Sequence, residues 1–184
     1  MARQYRDKTQ GIDMDAKKLT LALAVATGLA FGVAPALAQD TAKNQPSQEA
    51  AQIVDATNPE MLVTIFQDLG YRARLTTDSQ DDPLIEVKVS GVDTSVFFYG
   101  CTENKDCGQI QFRAAFNMNG KGSPAEMQAW NKDRLFGVAF LDSEFDPVIE
   151  LAVNLRGGVS RENLADTVDW WDVVLSQFKE HIGF

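Results

Sequence analysis

The apolar residues of this chain change their spacing several times, and each change predicts an element. Leu62, Ile65, Phe66 and Leu69 recur at helical intervals. Asn58 stands where an N-cap oxygen is wanted, Pro59 at the first helical position needs no amide donor, and Gly70 ends the run. The period then shortens to two. Ile85, Val87 and Val89 alternate with Glu86 and Lys88, the pattern of a half-buried strand. Ser90-Gly91 turns the chain into Val96-Phe97-Phe98-Tyr99, which is apolar on both faces and so reads as central in a sheet. Ile110, Phe112, Ala114 and Phe116 alternate with Gln109, Gln111 and Arg113, and a weaker strand covers Tyr71 to Thr77.

After the loop residues 117–122, Ser123-Pro124-Ala125-Glu126 has the composition of a capping box and opens a helix carrying Met127 and Trp130. Gly137 to Leu141 and Val148 to Leu155 form a second hairpin around Asp142–Pro147. From Ser160 onward Leu164, Val168, Trp171, Leu175, Phe178 and Ile182 alternate in steps of four and three, one apolar stripe on a long helix. The predicted order is α-β-β-β-β-α-β-β-α. Hairpin-length links imply antiparallel pairing, hence an α+β domain.

The first 57 residues follow a different grammar. Lys17-Lys18, the apolar run Leu19 to Ala34 and Ala36-Leu37-Ala38 before Gln39 make up a secretory signal, with cleavage expected between Ala38 and Gln39. The run is Ala-rich and interrupted by Gly28, Gly32 and Pro35, which sets it apart from a spanning helix of about 20 strongly apolar residues. Residues 1–38 are thus read as a signal peptide, with Met14 as an alternative start because the signal fits best from there. Residues 39–57, poor in large apolar side chains, read as a flexible linker, and residues 58–184 as the domain. The expected location is the periplasm or the exterior, with no membrane attachment after cleavage.

Charge and cysteines narrow the function. The 17 basic and 26 acidic residues give −9, and removing residues 1–38 leaves 12 against 23, or −11. That sign opposes binding to nucleic acid and to anionic lipid. Cys101 and Cys107 sit in a strand-loop-strand segment, and in an oxidising compartment they are expected to form a disulfide; they lack the Cys-x-x-Cys spacing of a redox pair.

Candidate chemistry is sparse, and no catalytic residue is assigned. His181 is the only histidine, near the end of the last helix, where a surface position complements the helix dipole. The acidic run Asp142 to Asp146 resembles a calcium loop only superficially, because Pro147 stands where glycine is required and Val153 where the closing glutamate belongs. No metal or cofactor is expected: the glycines lack a phosphate-binding frame. Trp170 lies about 100° around the last helix from the striped Trp171 and is the candidate partner-binding residue.

Trp130-Asn131, Arg134-Leu135-Phe136, Asp142 at its hairpin turn, Leu151 to Leu155, Gly157-Gly158-Val159-Ser160 and the final aromatic helix together resemble a YbjN-domain protein over residues 58–184. The resemblance implies a bent antiparallel sheet flanked by three helices, similar in architecture to type III secretion chaperones and able to pair into homodimers. It implies a regulatory role and carries over no catalytic residue. The resulting expectation is a non-enzymatic, chaperone-like module with an unidentified protein partner. The alternative is a hydrolase using a carboxylate pair in a cleft.

Overall fold

The computed structural model describes residues 52–184. The signal peptide, the Ala38/Gln39 cleavage position and linker residues 39–51 lie outside the described residues.

Helix α1 (Pro59–Asp68) is capped by Asn58, whose Oδ1 accepts from Met61 N at 3.0 Å. Strands β2 (Ala73–Thr77), β3 (Pro83–Val89), β4 (Val92–Tyr99) and β5 (Gln109–Ala115) follow in succession, each antiparallel to the one before. Helix α2 (Pro124–Asp133) leads to β6 (Val138–Leu141) and β7 (Pro147–Asn154). Strand β7 inserts between β5 and β6, giving the order β2-β3-β4-β5-β7-β6. Helix α3 (Arg161–Ile182) starts at Ser160, whose Oγ accepts from Asn163 N at 3.1 Å.

The helices cover one face of this sheet. Ile85, Val96, Phe98, Ile110, Phe112 and Ile149 are buried on it, as their alternation requires. Aromatic rings link the layers: Phe66 of α1 meets Phe112 of β5 at 6.1 Å, and Phe112 meets Trp171 of α3 at 5.5 Å. Nearer the end of α3, Phe178 joins Phe116 at 5.4 Å and Trp130 of α2 at 5.0 Å. Strand β4 is internal, as its apolar character implies.

Three expectations are corrected. Ile53 and Val54, placed in the linker by their polar neighbours, form β1 (Ile53–Val54), which pairs antiparallel with β8 (Val159–Ser160) as a separate two-stranded sheet. Val54 and Ala56 are buried, so the ordered domain begins before Asn58. The capping box at Ser123 does not form: no side-chain bond caps α2, and Pro124 supplies the start. His181 is half-buried, its Nε2 2.8 Å from Glu126 O and its ring 5.5 Å from Trp130, so it ties α3 to α2 instead of sitting on the surface.

Candidate functional site

The α3 stripe turns Trp171 fully inward, where Nε1 donates to Thr94 Oγ1 at 3.2 Å. One residue back, Trp170 points outward and is 46% exposed, its Nε1 donating to Asp166 Oδ2 at 3.1 Å. The 100° rotation between successive helical positions is the cause. Trp170 does not stand alone: its ring lies 4.8 Å from Phe136, which belongs to the connector from α2 to β6.

That connector is held from below. Arg134 lies over the Trp130 ring at 5.3 Å, and Trp130 Nε1 donates to Gly137 O at 2.9 Å. Between these anchors Leu135 projects outward at 87% exposure, and Val173 of α3 beside it is 48% exposed. A shallow depression of about 230 Å³ runs between the connector and α3, lined by Arg134, Phe136, Trp170 and Gln177 among others. Four large apolar side chains, Leu135, Phe136, Trp170 and Val173, stand around one depression rimmed by Asp133, Arg134 and Gln177, which has the make-up of a contact surface. The sequence points to Trp170; the connector residues gave no signal of exposure.

The helix-free sheet face carries charge instead. Arg74 pairs with Glu86, Lys88 with Asp93 at 3.0 Å, and Arg113 with Glu150 at 3.2 Å. A broad open hollow of about 500 Å³ lies over β2, β3 and β4. The carboxylates lining this hollow, Glu86 and Asp93, are each held against a cation, whereas the hydrolase alternative needs two carboxylates that flank a bound substrate about 5–10 Å apart. Tyr99 on the same face is pushed above its ordinary pKa, first by burial and then by Glu150, with Arg113 acting in the opposite sense. Tyr71 is likewise raised, by burial first and then by Asp172 and Asp169.

The acidic hairpin is structural. Asp142 Oδ1 accepts from Glu144 N and Asp146 N, each at 2.9 Å, and the buried Asp146 accepts from Met118 N and Gly120 N at 2.9 Å. Among the described residues no group of three or more His, Cys, Asp or Glu side chains is placed to hold a metal ion. Cys101 and Cys107 are bridged, closing the loop between β4 and β5.

The family model YbjN, described as "Putative bacterial sensory transduction regulator", matches residues 58–184. A solved structure, "Crystal structure of YbjN, a putative transcription regulator from E. coli", is similar at 20% identity and a TM-score of 0.48, over 71% of this chain and 89% of that one. No curated protein matches the chain.

Proposed function

The chain belongs to the YbjN family, and from that premise we propose that it is a non-enzymatic, exported binding module of the bacterial envelope that holds a protein partner on the surface formed by Trp170, Phe136, Leu135 and Val173. The observation that carries the reading is this apolar surface, built on a connector anchored to Trp130 and therefore presented in one fixed shape. Rigid aromatic anchors of this kind concentrate binding energy because they lose little freedom on contact. A regulator acts through a partner, and the acidic balance of the chain argues against nucleic acid as that partner. Export is supported by the signal grammar of residues 14–39 and by a disulfide that suits an oxidising compartment.

The test is capture from envelope extracts with the full chain as bait, run beside Leu135→Asp and Trp170→Ala. A partner retained by the native chain and lost from both variants supports the proposal, provided circular dichroism shows both folded. Equal capture by all three chains removes it.

A further inference from the structure

The two outer strands of the six-stranded sheet are treated differently. The outer side of β6 is closed by α2: Asn131 and Trp130 occupy the backbone groups of Ala139 and the carbonyl of Gly137. Among the described residues β2 is closed only at its beginning, where Gln67 Nε2 donates to Ala73 O at 3.1 Å. In an antiparallel ladder successive residues turn their N–H and C=O alternately toward and away from the partner strand. Ala73 faces outward, so Leu75 and Thr77 do as well. Their N–H and C=O groups form a short edge that none of the described residues pairs with, and both residues are exposed.

A groove of about 390 Å³ runs beside this edge, with Ala56, Leu75 and Cys107 contributing apolar surface. Its walls also carry the carboxylates of Glu60, Asp81 and Asp106 against the single ammonium of Lys105. The disulfide loop forms one wall and is fixed to the β2–β3 loop by Asn104, whose Nδ2 donates to Gln80 O at 2.8 Å and Asp82 Oδ1 at 3.0 Å.

We infer that the open edge of β2 and this groove bind an extended, basic peptide segment of a partner protein, which adds to the sheet as a further strand. Proteins ordinarily blunt their sheet edges, as β6 does here. An edge left open beside a groove has the form of a strand-addition site, in which backbone pairing supplies affinity and alternate side chains enter the pocket. The charge of the groove selects the occupant: lysine or arginine would meet Glu60, Asp81 and Asp106, and an acidic segment would be repelled. The site stands apart from the Trp170 surface, since β2 and β6 are at opposite ends of the strand order.

The test uses the full chain with a short labelled acetyl peptide alternating valine and lysine, and a valine-glutamate peptide as control. The lysine peptide should bind at least about tenfold more tightly, weaken as salt rises, and shift the amide signals of Leu75, Thr77 and Asp106. N-methylation of alternate peptide amides gives the decisive readout: one set should abolish binding and the complementary set should change it by less than about twofold. Glu60→Lys combined with Asp106→Lys should weaken the lysine peptide, while Trp170→Ala should leave it unchanged, which separates this site from the surface proposed above. Absence of binding, equal binding of the two peptides, equal loss from both methylation patterns, or shifts confined to Leu135 and Trp170 would overturn the inference.

Discussion

Asn131 of α2 occupies both backbone groups of Ala139 on the outer side of β6: its Nδ2 donates to Ala139 O and its Oδ1 accepts from Ala139 N, each at 2.8 Å. A single side-chain amide thus stands in for a neighbouring strand. Loss of Asn131 should therefore have two separable effects. Asn131→Ala should cost about 1–3 kcal/mol from two hydrogen bonds, and it should expose an edge able to pair with a second copy. A lower melting temperature together with concentration-dependent light scattering is the expected result; a lower melting temperature alone would mean that other features protect the edge.

The adjacent tryptophans of α3 separate stability from binding. Trp171→Ala should cost about 3–5 kcal/mol as a large-to-small change in the core. Trp170→Ala should cost less than about 1 kcal/mol, because its ring is half exposed and its partner Asp166 stays solvated. Denaturant melts of the two variants give the comparison, and equal destabilisation would assign Trp170 to the fold instead of a contact surface.

Much of the fold is legible from periodicity, because one face of nearly every element is buried. The faces of β3, β5 and α3 are the ones their spacing selects, and the outward position of Trp170 follows from helical rotation alone. Ile53-Val54 escaped because two residues cannot display a period. Their β-branched pair amid polar neighbours was the only trace. Asn131 escaped for another reason: a polar residue at the end of an amphipathic helix looks solvated until β6 is placed beside it. The same holds for Leu135 and Phe136, since apolar residues on a short connector read as core until the tertiary arrangement leaves them outside.

The disulfide has consequences beyond its own loop. Thiol titration of the denatured chain without reductant should find no free sulfhydryl. Cys101→Ser combined with Cys107→Ser should cost about 2–3 kcal/mol by loop entropy. It should also loosen residues 102–106, of which Glu103, Asn104 and Asp106 have positive φ angles of 51°, 60° and 51°. Faster amide exchange at Asn104 and at its partners in the β2–β3 loop would show that the bridge shapes the groove wall; unchanged exchange there would confine its role to Cys101 and Cys107.

Export makes a prediction that mass alone decides. The chain recovered from its native envelope should begin at Gln39, because Ala36 and Ala38 offer the small side chains the cleavage site requires. A mature form retaining residues 14–38 would contradict the signal-peptide reading and place the domain on a membrane-tethered chain.

The β1–β8 pairing can be tested through two neighbouring glycines with nearly the same backbone. Gly157 and Gly158 have φ angles of +85° and +84°, in the region where an L side chain is strained. Space distinguishes them: a Cβ on Gly157 would meet nothing within 4 Å, whereas one on Gly158 would collide with the Ile53 side chain. Gly157→Ala should therefore show the backbone penalty alone, about 1–2 kcal/mol. Gly158→Ala should show the same penalty and in addition push Ile53 away, separating Ile53 from Ser160 and Val54 from Val159. Amide exchange should then accelerate across residues 53–54 and 159–160 in the Gly158 variant only. Because Val54 and Ala56 are core residues, the additional loss of stability should spread beyond the two-stranded sheet, whereas identical behaviour of the two variants would mean that β1 adds nothing to the domain.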